Sequence, residues 1–586
     1  MYKHPSGSPR WLRKNDARQV SFSTLAGAAV GLMLLGLAGT LALFAQAPQH
    51  PHTPTQGAAA VTRLGAVSFP VSCAPSVQAD FNRAVALLHS FQYEIAEEAF
   101  AEVAQKDPHC AMAYWGRALS LYHPVWEWPE PETIHKGHGY IQRAQELGAK
   151  TARERGYIQA ASIFYQDSLS MKVADRAAAY CNALAGLHDE FPEDHNAAAF
   201  YALSLITSPT PCPTTRQGEQ GVAVGGTDTS PSGSPAAGRA GAKARRMQAI
   251  EILTELFRLE PEHPGVAHYL IHAADTPELA HLGLDAARRY ASIAPDAPHA
   301  LHMPSHIFTE LGLWQESIQS NLASAAAAER ITNAHLGDGA GDQLHALSFL
   351  EYAYLQTGHI AEAQRVIDGM KGVPGARAQD IAESQEVARE MYMEETQQWK
   401  ESAKLNPGAL RAPYLQVAAY KARSIGEARL GDRAHAQTDL DGLQKAYDQM
   451  AAYMRSMGSP TPGGESTSQL EAEAWLALAQ GKQDEALAKM RKAAEQGGGN
   501  TRAGGVPGIP AKEMLGNMLL EMHSPAEAQA AYEAALKETP NRFNSLYGAA
   551  QAAEMAGHRE AAKRYNESLR QICGAGADRA ELRPKQ

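Results

Sequence analysis

The sequence predicts an all-α protein assembled from repeated helix pairs. Alanine is abundant along the 586-residue chain, whereas runs of β-branched residues are scarce, and this composition favours helices over strands. Small and apolar residues also recur at an interval of 34 residues, as Ala528 and Ala562 do, which indicates a repeat array. A chain of this length is in any case too long for one compact core.

The N-terminus has the features of an export signal or a membrane anchor. A basic stretch precedes an uncharged apolar run from Leu25 to Phe44, which is long enough to span a bilayer. Ala45-Gln46-Ala47 offers a cleavage site, although Pro48 would hinder cleavage. A cleaved signal peptide and an uncleaved transmembrane anchor are therefore both open. In either case we expect the body in the periplasm or elsewhere outside the cytoplasm, with membrane contact only through this segment if it is uncleaved.

The charge of the chain narrows the classes of partner that we expect, and its cysteines suggest possible disulfides. The formal net charge is −11 and no dense basic stripe is present, so we expect that nucleic acid is not a partner. In an oxidising compartment a pair such as Cys73 and Cys110 could fasten the N-terminal segment to the first helices, although connectivity cannot be deduced from sequence. The five cysteines are scattered without a CxxC motif, at Cys73, Cys110, Cys181, Cys212 and Cys573.

The first repeat runs from Phe81 to Pro108. It has two amphipathic halves with a break near Phe91-Gln92, and Ala96, Phe100 and Pro108 follow at spacings of 4 and 8 residues. This pattern resembles the tetratricopeptide repeat (TPR), and the chain is similar to exported bacterial-type TPR proteins. The resemblance implies a right-handed α-solenoid of roughly eight or more helix pairs behind the N-terminal signal or anchor helix.

The register recurs along the chain. Further matches lie at Ala249–Pro261, Pro298–Trp314, Tyr352–Ala363, Leu476–Ala486 and Leu515–Pro540. We therefore divide the chain into a basic segment (1–24), the signal or anchor (25–47), a linker (48–74), N-terminal repeats (75–208), a disordered insertion (209–245), central histidine-rich repeats (246–400), C-terminal repeats (401–575) and a tail (576–586). The insertion is predicted from its lack of large apolar residues, and the Gly/Asp-rich stretch His335–Asp342 is predicted to be a loop.

Two histidine pairs are the strongest candidate site. HYLIH (His268, His272) and HMPSH (His302, His306) are separated by 34 residues, which is one repeat. Residues at i and i+4 share a helix face, and in TPR proteins the corresponding positions line the concave groove. The same resemblance directs Asp275, His299, Glu310 and His345 into that groove. Pro304 is a complication, because it either kinks the helix or begins it.

This concentration predicts a metal site. The proposed ligands are His268, His272, His302, His306 and Asp275, with His299, His345 and Glu310 as further groove contacts, since imidazoles at i and i+4 can chelate one ion. The expected metal is Zn, Fe, Cu or Ni, in a mononuclear or dinuclear site, and no organic cofactor is expected. Asp275 or Glu310 could instead act behind the ligands or as a general base.

Other interpretations of the same residues stay open. The histidines could be inherited repeat positions, metal-free groove contacts or buried structural residues, although other repeats lack histidine there. Ser305 has no nucleophile-elbow pattern around it. The aromatic stretch Tyr122–Glu132 could cover the groove, bind a ligand or pack against the array. The basic clamp with which TPR proteins bind a C-terminal carboxylate is not reproduced, and Lys421 is a lone candidate among the groove positions.

Two function classes follow. The first is a scaffold that binds a protein or peptide in the concave groove, with the metal site organising that groove. The alternative is a metal-dependent enzyme, a hydrolase or an oxidoreductase, that uses the histidine site.

Overall fold

Consecutive helix pairs make up the part of the chain that the structure describes. The structure is a computed structural model and describes residues 62–125, 129–166, 171–208, 212, 235–334, 339–458, 465–497 and 505–582. Its helices are α1 (Gln78–His89), α2 (Tyr93–Lys106), α3 (Ala111–Leu119), α4 (Pro131–Leu147), α5 (Ala152–Phe164), α6 (Val173–Glu190), α7 (His195–Thr207), α8 (Pro235–Leu259), α9 (Pro264–Ala274), α10 (Ala280–Ile293), α11 (Pro298–His302), α12 (Pro304–Glu310), α13 (Trp314–Asn333), α14 (Gly339–Gln356), α15 (Ile360–Gly369), α16 (Ala378–Glu395), α17 (Trp399–Ser402), α18 (Pro413–Arg429), α19 (Arg433–Ser456), α20 (Thr467–Ala479), α21 (Gln483–Gln496), α22 (Ala511–Glu521), α23 (Pro525–Glu538), α24 (Phe543–Met555) and α25 (Arg559–Cys573).

The predicted all-α array of TPR-like helix pairs is confirmed. With α11 and α12 counted as one interrupted helix, the described residues form twelve pairs in which each helix packs on the next. The predicted turns separate the predicted helices: α1 ends at His89 and α2 begins at Tyr93. Gly358 and Gly481 have φ of 72° and 81° in two later turns, a conformation that glycine adopts without a steric penalty.

Aromatic side chains pack against glycines of neighbouring helices. Tyr532 on α23 lies between Gly516 on α22 and Gly548 on α24, where an added Cβ would come within 2.8 Å and 2.3 Å of the ring. The glycines therefore allow the close approach that stacks one pair on the next. The aromatic residues of the repeat pattern therefore pack against its small residues.

Two irregular segments are shorter than predicted. Helix α8 already begins at Pro235, so the prediction of a disordered insertion up to residue 245 is wrong for its last eleven residues. These continue the helix that carries Leu253 and Leu256 into the core. Likewise α14 begins at Gly339, within the predicted loop His335–Asp342. Apart from Cys212, the rest of both segments lies outside the described residues, as do residues 126–128 and the N-terminal signal or anchor.

None of the described helices is both long and apolar enough to cross a bilayer.

An N-terminal strap fastens the first repeats to the central ones. Arg63 forms an ion pair with Asp296 at 2.6 Å, and Ser72 donates from its backbone and its hydroxyl to the buried carboxylate of Glu154. Cys73 forms a disulfide with Cys110, as the sequence suggested. A second disulfide joins Cys181 and Cys212, and Cys573 has a buried free thiol.

The C-terminal repeats return to the central ones. The backbone of Pro540 lies very close to Gly312. A Cβ added to Gly312 would be only 2.2 Å from the Pro540 carbonyl oxygen. Trp314 donates its indole N–H to the Asn541 carbonyl at 2.8 Å. Helices distant in sequence are therefore neighbours in space.

Arg542 joins four helix pairs at this contact. Its guanidinium donates to Glu513 on α22, Glu395 on α16 and the Tyr352 hydroxyl on α14, at 2.7–3.1 Å. Arg542 and both glutamates are fully buried. The two carboxylates raise the arginine pKa well above its ordinary value despite burial, so this network is ionic and desolvated.

Candidate functional site

The predicted histidines meet in the interior of the array. His268 and His272 lie on α9, His299 and His302 on α11, His306 on α12 and His345 on α14. The first five are almost completely buried. Their positions on successive first helices bring them to one side of the array, as the 34-residue register predicts.

Pro304 interrupts the helix without displacing the histidines. The ring nitrogen of proline cannot donate a hydrogen bond, so α11 ends at His302 and α12 begins at Pro304. Met303 between them keeps helical angles, with φ of −52° and ψ of −35°. His302 is therefore on the helix, and His306 follows one turn later.

His268, His272 and His299 form the first of two histidine groups, here called triad 1. One ring nitrogen from each lies within 4.8 Å of the others. The Nε2 atoms of His268 and His299 are 3.1 Å apart. The Nδ1 atom of His268 contacts the carbonyl oxygen of His89 at 2.7 Å, so it must carry the proton. In the neutral ring, Nε2 of His268 is then an unprotonated ligand.

His302, His306 and His345 form the second group, here called triad 2, and its ring nitrogens also lie within 4.8 Å of one another. Nδ1 of His302 contacts the Asn321 side-chain oxygen at 2.7 Å. The Asn321 amide nitrogen donates to the Ser317 carbonyl at 2.8 Å, which fixes the amide orientation. Nδ1 of His306 contacts the Asp275 carboxylate at 2.8 Å. Both Nδ1 atoms are thus donors, and both Nε2 atoms point inward.

These two inward nitrogens lie only 2.9 Å apart. In neutral rings whose Nδ1 atoms are protonated, this contact joins two lone pairs, which repel unless a proton or a metal ion lies between them. With an ion at the usual distance of about 2.0–2.1 Å from each nitrogen, the N–metal–N angle would be about 90°. The outer hydrogen bonds to an amide and a carboxylate are those that orient metal-ligating histidines.

Burial opposes protonation of five of the triad imidazoles. Burial lowers the pKa of His268 and His345 to about 3. Burial, with neighbouring histidines, also lowers the pKa of His272, His299 and His302 well below the ordinary value. Neutral imidazole is the form that binds a transition metal. The side-chain Nε2 of His272 is buried without a hydrogen-bond partner, which is the state of a ligand nitrogen.

The two triads are adjacent. Across them, the rings of His299 and His302 are 6.1 Å apart between centroids, and those of His272 and His306 are 6.4 Å apart. Each predicted i,i+4 pair lies within one triad, and the third member is a histidine that the sequence placed among the secondary contacts. The arrangement is therefore two three-nitrogen groups in place of a single site between the two pairs.

The carboxylates and Ser305 take outer positions. Asp275, predicted as a ligand, is one hydrogen bond behind His306, because its oxygen accepts from the ring nitrogen that points away from the triad. Burial and the Asp275 charge raise the pKa of Glu310 to about 8. Ser305 is fully buried and donates to Asn321 at 3.3 Å, so it supports the amide.

A cavity of about 630 Å³ opens beside both triads. It is here called the histidine cavity, and four triad members line it together with Asp275: His272, His299, His306 and His345. Its other lining residues include Phe91, Tyr93, His123, Val125 and Tyr414. The described part of the predicted aromatic stretch therefore divides its roles, since His123 and Val125 line the cavity, whereas Tyr122 packs against Phe164. Lys421 is buried against Glu394 and does not line it.

Three contributors were missed by sequence reasoning. His89 supplies a backbone oxygen from α1, Asn321 supplies an acceptor from α13, and Phe91 stacks on His272 and His299 at 5.6 Å and 5.5 Å. Phe91 had a local signal, because it lies at the predicted helix break. His89 and Asn321 had none, because their roles depend on how distant helices pack.

Comparison with known proteins adds fold neighbours only. No family model and no curated protein matches the chain. Solved structures that resemble it include the human IFIT1 dimer with m7Gppp-AAAA, at 11% identity and a TM-score of 0.35, covering 83% of this chain and 95% of that one. Yeast Tom70 has 11% identity and a TM-score of 0.30, with 83% and 96% covered. The P58(IPK) TPR domain has 12% identity and a TM-score of 0.22, with 82% and 99% covered. Similarity this low says nothing about the ligands or the chemistry of this chain.

Proposed function

We propose that this protein is a metalloprotein that holds two transition-metal ions, one in each histidine triad, at the wall of a small-molecule cavity. The observation that carries the proposal is the 2.9 Å contact between the inward nitrogens of His302 and His306, whose outer nitrogens are both held as donors. Such a contact needs a proton or a metal ion between the two nitrogens, and burial lowers the pKa of His302 well below its ordinary value.

The donor set indicates the class of metal. All six triad ligands are imidazole nitrogens, which suit Zn, Cu, Fe and Ni, whereas Mg and Ca prefer oxygen. Affinity for such sites generally rises to a maximum at copper among the divalent ions. Three ligands on each ion would leave a coordination position for water or substrate, which is the arrangement of catalytic sites. Because a cavity lies beside these open positions, we propose that the protein is a metal-dependent enzyme.

The scaffold role finds less support from the same surface. A peptide partner needs an extended groove, whereas the histidine cavity has a volume within the roughly 300–1,000 Å³ of small-molecule pockets. The absence of a nucleic-acid partner stays a prediction.

We further propose that the body works outside the cytoplasm. Disulfides persist mainly in oxidising compartments, and two of them join described residues. This is independent support for the export signal or anchor predicted at residues 25–47.

Metal analysis of the purified full chain tests the proposal. The protein is stripped with a chelator, loaded separately with Zn(II), Cu(II), Fe(II) or Ni(II), and freed of excess ion. We expect two ions per chain for at least one metal, and one ion in a His268→Ala/His299→Ala variant or a His302→Ala/His306→Ala variant. His281 is exposed on α10, so His281→Ala is the matched control and should retain both ions.

Folding of each variant is checked by circular dichroism. Folded protein that binds no stoichiometric metal under any loading condition would refute the proposal. Metal content that is the same in the triad variants and the control would refute it as well.

A further inference from the structure

The two triads differ in the charge of the group that lies behind a ligand. In triad 1, Nδ1 of His268 donates to the neutral carbonyl oxygen of His89 at 2.7 Å. In triad 2, Nδ1 of His306 donates to the carboxylate of Asp275 at 2.8 Å. Such outer partners set the basicity of a ligating imidazole, so His306 is the more electron-rich ligand of the two.

The Asp275 carboxylate lies close enough to triad 2 to distinguish ions by their charge. An ion bound at Nε2 of His306 would be about 7 Å from the carboxylate, across the imidazole ring. At that distance inside a protein, each additional unit of ion charge lowers the dissociation constant by about ten- to a hundredfold. The Asp275 side chain is 24% exposed, so water screens part of the attraction and the lower end is the better expectation.

Arg246 on α8 places the opposite charge beside triad 1. Its Nη1 donates to the carbonyl oxygens of His272 and Ala273 at 2.6 Å and 3.1 Å, at the C-terminal end of α9. A helix end carries roughly half a negative charge, so the full charge of the guanidinium leaves an excess of positive charge next to His272. Asp275 attracts the same guanidinium. Arg246 and Asp275 therefore form a dipole with its positive end at triad 1 and its negative end at triad 2.

Burial favours the same assignment. His268, His272 and His299 of triad 1 are each at most 5% exposed, whereas His345 of triad 2 is partly exposed. The cost of moving an ion out of water rises steeply with its charge. A divalent ion is therefore more costly in triad 1 than in triad 2.

We propose that the two triads hold ions of different charge, a divalent ion in triad 2 and monovalent copper in triad 1. The inference rests on the proposed function, from which it takes the two sites and the set Zn, Cu, Fe and Ni. Copper is the metal of this set that is commonly monovalent. Such a pair places a Lewis acid beside a redox-active ion at one cavity.

The test compares Zn(II) and Cu(I) in the two triad variants. His302→Ala/His306→Ala keeps triad 1, and His268→Ala/His299→Ala keeps triad 2. Each stripped full-length variant is titrated without oxygen against a chromophoric chelator for Zn(II) and, separately, against one for Cu(I). We expect the ratio of Zn(II) affinity to Cu(I) affinity to be at least about tenfold higher in triad 2 than in triad 1. An equal ratio in the two triads, or a higher ratio in triad 1, would overturn the inference.

Asp275→Asn tests the carboxylate charge with all six ligands in place. Asparagine can still accept from Nδ1 of His306, so the charge is lost and the hydrogen bond is kept. We expect the Zn(II) affinity of triad 2 to fall about tenfold more than its Cu(I) affinity. Asp285→Asn makes the same change at an exposed position of α10 and should leave both affinities unchanged. Equal losses for the two ions in Asp275→Asn would contradict the inference.

Arg246→Gln tests the positive end of the dipole. The amide of glutamine keeps a donor for the carbonyl oxygens of α9 but carries no charge. The Zn(II) affinity of triad 1 should therefore rise relative to its Cu(I) affinity, by about three- to tenfold. Arg258→Gln is the matched control, because Arg258 is exposed on the same helix. A lower relative Zn(II) affinity in folded Arg246→Gln protein would count against the assignment of ions by charge.

Metal content, measured on every sample, separates this inference from the proposed function. Two bound ions with the same preference between Zn(II) and Cu(I) at both triads would overturn the inference and leave the proposed function standing. Folded protein that binds neither ion at either triad would refute the proposed function itself.

Discussion

Replacing Asn321 by leucine tests how the outer hydrogen bonds control the metal site. Asn321 is fully buried on α13, and its oxygen is 2.7 Å from Nδ1 of His302. Leucine has a similar shape but no acceptor. His302 then loses the partner that keeps the proton on Nδ1, and the tautomer with the proton on Nε2 becomes favourable, which blocks the ligand lone pair of triad 2.

Loss of one such outer partner typically weakens metal binding by about 10- to 100-fold, or about 1.4–2.7 kcal/mol. The lower end is the better expectation, because the Ser305 hydroxyl remains 3.5 Å from Nδ1 of His302 and can replace part of the lost contact. Triad 1 does not use Asn321, so its ion should keep its affinity. The variant is therefore expected to weaken metal binding at triad 2 and to leave metal binding at triad 1 unchanged.

The assay is competition for metal against a chromophoric chelator, fitted for two dissociation constants. Asn333→Leu is the matched control, because it makes the same change at an exposed position of the same helix. If Asn321→Leu binds both ions with unchanged affinity, the tautomer reasoning is wrong. Equal weakening of both sites in folded protein would also refute it, because it would mean that the amide does not act on triad 2 specifically.

Three further predictions concern stability, measured as the midpoint of urea unfolding. Arg542→Met should cost about 3–5 kcal/mol, because it removes the guanidinium that both buried carboxylates contact; an unchanged midpoint would contradict the ionic network. Hydrogen bonds outweigh burial and hold the pKa of the Glu154 carboxyl below its ordinary value, so its stabilisation is present above about pH 4.5 and is lost as the pH falls through the folded pKa. Glu154→Gln should therefore lower stability at pH 7 and flatten the decline toward pH 3, and parallel pH curves would refute this. Cys73→Ser/Cys110→Ser opens a loop with a sequence separation of 37 residues and should cost about 2–4 kcal/mol, whereas a smaller loss would show that the strap is held by its other contacts.

The helix pairs and the histidine pairs are local features, and the sequence was sufficient to predict them. The break after His89, the turn at Gly481 and the 34-residue spacing all follow from residues close together in the chain. Because a repeat places equivalent residues at equivalent positions, His268 and His302 could be assigned to one side of the array without knowledge of its curvature.

The composition of each triad could not be predicted in the same way. It depends on small rotations between neighbouring helices, which decide that His299 joins triad 1 and that Asp275 turns outward to His306. Pro304 shows the limit clearly: the sequence indicated a disturbance, but only the angles of Met303 show that the helix direction continues. The contact of Pro540 with Gly312 has no sequence signal, because it depends on the pitch of the whole array.

The contact between Pro540 and Gly312 affects how the protein unfolds. An open repeat array is nearly one-dimensional, so its end repeats can fray one at a time and shorter versions can still fold. Here Arg542, on the C-terminal side, is bound to helix pairs that lie far earlier in the chain. Removal of the last repeat would uncover buried charge in the middle of the molecule, so the end cannot detach without cost to the centre.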